Sequence, residues 1–148
     1  MVNKITLYME TTKKEPEETM AEIQKILRRY NLKKFMADYD NGQISGCIFS
    51  VEIDDRQIPF KMPVKWEPLL RLAKEGKTRY IRDAHQARRV AWRQVLRWIE
   101  AQLALVDTRM ADFHEVFLPY IVNKEGMTVF QKFTENNFRG VLTAGSES

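Results

Sequence analysis

Arg82, Arg89, Arg93 and Arg97, with Gln86 and Glu100, follow one another at three- or four-residue steps (seven from Arg82 to Arg89, bridged by Gln86) within RDAHQARRVAWRQVLRWIEAQLALV. That spacing stacks side chains on one face of a helix. A row of like charges there is mildly unfavourable unless something acidic faces it. Three surroundings fit: solvent, an acidic segment of the same chain, or a nucleic-acid backbone. The wider interval interleaves cations with aromatic rings: Lys61, Lys65, Trp66, Arg71, Lys77, Arg79, Tyr80, Arg82, Arg89, Arg93 and Arg97. Single strands are held by cationic grooves that track phosphates and by rings on which bases stack. These residues form the candidate nucleic-acid-binding set.

Other chemistries have less to work with. His85 and His114 lie 29 residues apart with no Cys, Asp or Glu at a known ligand spacing, so no metal site is expected. Asp38, Asp40, Glu52, Asp54 and Asp55 cluster near strand ends, where acids are ordinary turn chemistry, and no Lys follows Glu52 by two residues to complete a nuclease pattern. Gly-rich phosphate loops, a Gly-x-Ser-x-Gly elbow and a Cys–His pair are missing from the sequence,. The expectation is a non-enzyme with no catalytic residues, no metal and no cofactor. Cys47, the single cysteine, reads as a small core residue, and an internal disulfide is excluded.

The elements that would position the basic set follow from periodicity. Lys4 to Met9 alternate, as in a half-buried strand. TTKKEPEETMAEIQKILRRYN has Pro16 and acids where a first helical turn takes them, with Arg28 and Arg29 in the last turn,. Residues 33–39 and 43–53 flank Asp40-Asn41-Gly42, the signal of a type I′ hairpin. A third strand, Gln57 to Val64, carries Pro59 and Pro63 and so belongs at an edge. Lys65 to Lys74 reads as a short helix entered through Pro68 and ended by Gly76. Arg82 to Val106 is one long helix, apolar around most of its circumference and free of Pro and Gly,. Within it Trp98 falls deep in the apolar face and Trp92 nearer the boundary, both as core, whereas Trp66 and Tyr80 lie in connecting segments equally open to exposure and burial. Arg88 falls on the apolar side, which calls for an internal salt bridge or a partner contact. Residues 108–122 fit either a Pro-ended helix or an extended segment. Asn123 to Gly126 is a turn, and Val129 to Asn137 a last helix docked by Phe130 and Phe133.

The expected fold is therefore α+β, in β-α-β-β-β-α-α order, with an antiparallel sheet of about four strands packed against the long amphipathic helix. Its 148 residues suit one domain over 1–140, with a flexible tail over 141–148 and frayed residues from Leu142 to Ser148. No apolar run is long enough to span a membrane, and MVNKITLYMETTKK lacks the apolar region of a signal peptide, so a cytoplasmic location is expected. Net charge is +4, but from Arg56 to Trp98 twelve basic residues face three acids. That asymmetry suggests a basic surface that meets an anion, or two parts of the chain that pair with each other.

Three stretches carry a resemblance: Glu10-Thr11-Thr12-Lys13, Ala91-Trp92-Arg93-Gln94 through Leu105, and Glu115-Val116-Phe117-Leu118-Pro119-Tyr120. Together the chain resembles small proteins of unassigned function encoded by tailed phages and prophages. The resemblance implies a phage or mobile-element origin and carries no functional residue with it. The element order also resembles, as topology alone, double-stranded RNA-binding domains and the core of single-strand annealing proteins. The expected function is non-catalytic nucleic-acid binding, with single-stranded DNA favoured and annealing, replication or recombination as its setting. The alternative is a protein-interaction module, either a homo-oligomer or an inhibitor or adaptor of a host protein.

Overall fold

The computed structural model describes residues 5–138. The expected tail 141–148 and Lys4 lie outside the described residues.

Helix α1, Pro16–Leu27, begins with Pro16 in its first turn and Glu15 as its N-cap. The Glu18 carboxylate accepts from the Glu15 N–H at 3.3 Å, which satisfies a donor the helix leaves open. A 3-10 turn, Arg28–Tyr30, then leads through Asn31, in the left-handed region at φ 62°, into the sheet. Strands β1 (Leu32–Asp40), β2 (Gln43–Ile53) and β3 (Arg56–Pro63) form an antiparallel meander in the order β1-β2-β3. Both hairpin turns have two left-handed residues, Asn41 with Gly42 and Asp54 with Asp55, as a right-twisted two-residue hairpin requires. Pairing sets Cys47, Phe49 and Val51 opposite Met62, Phe60 and Ile58, so one face of the sheet is apolar. As its two prolines demand, β3 lies at an edge. Val122 N–H donates to the Pro59 carbonyl at 2.9 Å, and Ile121 bridges Phe60, which covers part of that edge.

The helical layer consists of α2 (Glu67–Lys74), α3 (Ala84–Asp107), α4 (Phe113–Val116) and α5 (Val129–Glu135). Asp83 caps α3 by accepting from Gln86 N–H at 2.8 Å,. One side of α3, from Ala91 to Leu103, packs with α1 and the inner sheet face in the main core; its first turns close a smaller core of Ile81, Ala87 and Val90 beneath α2. Phe117 is the hub of the main core. It is fully buried, with Phe113, Trp98, Phe60 and Phe49 at centroid distances of 4.6, 5.5, 6.0 and 6.2 Å; all but Phe113 meet it edge-on, the arrangement favoured by ring quadrupoles.

Several expectations are corrected. The fold is α+β with a long helix, but the sheet has three strands among the described residues, because the segment expected as a first strand is not one. Its alternating residues do not share a buried face: Ile5 and Met9 are exposed and only Leu7 docks, onto the smaller core. Residues 8–11 turn instead, with Met9 at φ 58° and Leu7 N–H held by the Glu10 carboxylate at 2.9 Å. Residues 108–122 use both expected conformations, a helical turn in α4, a 3-10 turn at Leu118–Tyr120 and an extended bridge at Ile121. The last helix stops at Glu135, and Phe130 and Phe133 are exposed rather than docked. The tryptophans exchange roles, since Trp92 is fully buried and Trp98 only half-buried.

Replacing Phe117 by Ala is expected to cost about 3–5 kcal/mol in denaturant unfolding, the range for deleting a buried ring. Phe130→Ala, at an exposed position, is expected to change stability by less than about 0.5 kcal/mol.

Candidate nucleic-acid interface

Two arginines of the row, Arg89 and Arg93, have acidic partners within the chain. Glu15 accepts from Arg89 Nε at 3.0 Å and from Nη2 at 2.6 Å. Arg93 pairs with Glu22 and donates to Thr19 Oγ1 at 3.2 Å. Arg97 lies 4.4 Å from the centroid of the Tyr8 ring, in cation–π range. The segment before α1 closes over the same face, since Gln86 donates to the Glu10 and Thr12 carbonyls at 3.0 Å each and Gln94 to the Tyr8 carbonyl at 2.7 Å. At the far end Tyr30 donates to Asp107 at 2.5 Å. The turn that replaces the expected strand is thus what lays residues 7–12 along the row.

Trp66 is likewise engaged. The Arg88 guanidinium sits 4.5 Å from its ring centroid, which answers the question posed by a cation on the apolar side of the helix: Arg88 packs on an aromatic face rather than pairing with an acid. Of the eleven candidate residues, Trp66, Arg89, Arg93 and Arg97 are therefore occupied by intramolecular partners.

Lys61 lies on β3, and the others lie on or beside α2. Leu69, Leu70 and Ala73 turn toward the smaller core, which puts Arg71 and Lys74 on the opposite, exposed side,. Lys65 before the helix and Arg79, Tyr80 and Arg82 after it are also exposed. Among the described residues Lys65, Arg71, Lys74, Arg79 and Arg82 make no ion pair, while Lys77 reaches Glu75 at 3.2 Å. Lys74 was not in the candidate set, although its i+3 spacing from Arg71 was the signal that could have included it.

A groove of about 520 Å³ continues this surface, lined by Lys61, Pro63, Lys65, Pro119, Tyr120, Thr128, Phe130 and Gln131. It joins two of the candidate cations to two aromatic rings from the C-terminal segment. Phe130 is 52% exposed. Lys61 keeps a long contact with Asp38, 3.8 Å. Nothing in the sequence marks Phe130 as a groove residue, because aromatic side chains at positions 130 and 133 read equally well as a docking stripe.

Three other groups singled out in the sequence, Cys47, His85 and Glu52, are buried or engaged. Burial pushes the Cys47 thiol up to about 12, with the Asp38 charge adding to it, so the thiolate is scarce. His85 Nε2 lies 3.1 Å from Glu15, and Glu52 pairs with Lys33 at 3.1 Å. Among the described residues no group of three His, Cys, Asp or Glu side chains could hold a metal ion, and no helix is long and apolar enough to cross a membrane. No protein-family model, curated protein or solved structure matches the chain.

The hydrogen bonds from Arg89 hold the Glu15 carboxyl below the ordinary carboxylate range against an opposing effect of burial, and His85 contributes in the same direction. A depressed folded-state pKa makes the carboxylate stabilising above its unfolded value, and that contribution is lost as pH falls through the folded value. Glu15→Gln is expected to lower stability at neutral pH and to flatten the acid limb of the stability profile below the ordinary carboxylate range. Urea midpoints measured from neutral to acid pH check both.

Proposed function

We propose that the protein is a non-catalytic nucleic-acid-binding protein, with single strands preferred and with α2, its flanking segments and the Lys61–Phe130 groove as the contact surface. The observation that carries the reading is the division of the basic residues: on α3, Arg89 and Arg93 pair with Glu15 and Glu22 and Arg88 and Arg97 lie over the Trp66 and Tyr8 rings, whereas Lys65, Arg71, Lys74, Arg79 and Arg82 have no acidic partner among the described residues. Cations that fold without acidic partners are free to replace the counterions of a phosphate backbone. Tyr80, 48% exposed, and Phe130 supply ring faces beside those cations, and stacking on a ring requires an unpaired base. The preference for single strands rests on these rings. A role in phage or prophage DNA metabolism, in annealing, replication or recombination, follows from the resemblance of the Glu10, Ala91 and Glu115 stretches and belongs to the same proposal, as does a cytoplasmic location.

One observation favours a second reading, a protein-interaction module: β1 leaves its outer edge unpaired among the described residues and carries Met36, 59% exposed.

Fluorescence anisotropy of a labelled single strand, the matching duplex and an RNA at two salt concentrations tests the first reading. Single-strand binding is expected to be tightest and to weaken with salt. Arg71→Ala and Arg79→Ala are each expected to weaken it and to reduce the salt slope by roughly 0.7, the value for one phosphate contact on a single strand. Phe130→Ala is expected to cost about 1–3 kcal/mol without altering the slope. Arg89→Ala and Arg93→Ala are expected to leave the slope unchanged. Absence of binding at low salt, or equal binding to a non-aromatic polyanion, would overturn the reading.

A further inference from the structure

The free edge of the sheet is self-complementary. Of its two edges, that of β3 is partly covered through Val122 and Ile121, while β1 has only β2 beside it among the described residues. An open edge presents a row of unpaired N–H and C=O groups to any strand of matching pattern. Lys34, Met36 and Asp38 stand at two-residue steps opposite Ser50, Ile48 and Gly46, so all three project from the outer face. Phe35 and Ala37, opposite Phe49 and Cys47, project from the inner face and are half-buried. The β1–β2 register shifts twice, at Lys33 of β1 between Leu32 and Lys34 and at Ser45 of β2 between Asp38 and Tyr39, so that Lys34 to Asp38 pair without interruption. From Lys34 onward the strand contains no extra residue.

We infer that β1 pairs with β1 of a second copy, antiparallel about a two-fold axis at Met36, to give a continuous six-stranded sheet. In that register Met36 lies opposite Met36 of the second copy. Lys34 lies opposite Asp38 of the second copy, and by symmetry Asp38 opposite its Lys34. On the inner face Phe35 lies opposite Ala37, again twice, which continues the apolar face of the sheet across the axis. Charges on edge strands ordinarily deter pairing. Here opposite signs two residues either side of one apolar residue turn the deterrent into a specification of partner and register, because shifting the register separates both ion pairs. Lys34 has no ion pair among the described residues, and Asp38 has only its long contact with Lys61, so both charges are available. A two-fold contact of this kind is closed, and it leaves no further edge of the same kind for growth.

The inference rests on the protein-interaction reading and is independent of nucleic-acid binding. Sedimentation velocity across a concentration series tests it. The unaltered protein is expected to show a reversible monomer–dimer equilibrium. Lys34→Asp and Asp38→Lys, each of which sets like charges opposite one another twice, are expected to raise the dimer dissociation constant at least about tenfold. An equimolar mixture of the two variants is expected to dimerise, since the charge reversed at 34 in one copy meets the charge reversed at 38 in the other. The double variant K34D/D38K is expected to dimerise with itself. Circular dichroism and thermal midpoints confirm that each variant is folded, and the mixture rescues only a contact between copies. A monomer at every concentration would overturn the inference. So would a dimer insensitive to both reversals, which would keep the interaction reading and move its surface elsewhere.

Discussion

The structure depends on neutralising the arginine row of α3. A helix of 24 residues that is apolar around most of its circumference can be covered on nearly every side, but only if its one polar strip is also satisfied. Helix α1 does this by lying alongside α3 in the same chain direction. Glu15 takes Arg89 at one end, Thr19 and Glu22 take Arg93 in the middle, and Tyr30 with Arg29 meets Asp107 at the other end. Breaking a partly buried pair on one side leaves its partner desolvated and unpaired, which costs more than the intact pair contributes. The seam therefore specifies how α1 sits more than it adds to total stability.

Once α1 and α3 form one body, the aromatic core follows. The sheet presents Phe49 and Phe60 to the helices, and the chain beyond α3 turns back so that Phe113 and Phe117 drop between them. Trp98, just past the middle of α3, closes it against Tyr120 at 5.7 Å. The return of the chain also brings Ile121 and Val122 onto β3 and hangs α5 beyond it. That is how Phe130, distant in sequence from every basic residue of the surface, comes to share a groove with Lys61 and Lys65.

The same seam divides the charges. A balance of twelve bases to three acids over one interval suggested a single basic surface, yet the interval folds into two layers with different fates. Its second half is the helix that α1 covers. Its first half is the short helix α2, whose apolar side is taken up by the smaller core and whose Arg71 and Lys74 make no ion pair among the described residues. The basic surface without ion pairs among the described residues is thus narrower than the composition implied, and it ends at Arg82.

Much of the architecture was legible in local pattern. Asn41-Gly42 determined the first hairpin, because few residues tolerate the left-handed backbone that a two-residue turn needs. Pro59 and Pro63 determined that β3 is an edge, because proline lacks the N–H a central strand requires. Apolar spacing without Pro or Gly determined α3 nearly to the residue. The tertiary structure alone decided what each exposed-looking residue meets. Residues 4–9 alternate as a strand does, but alternation yields a strand only where a neighbouring strand accepts it, and here Leu7 alone found a core. Phe130 and Phe133 have the spacing of a docked stripe, yet both stay exposed among the described residues. Arg71 and Arg89 are indistinguishable as residues in a basic run; one makes no ion pair among the described residues and the other is paired because Glu15, 74 positions from Arg89, is brought to it by the packing of α1. Periodicity reports which side of an element is apolar, whereas pairing between charges depends on distances that only the folded chain sets.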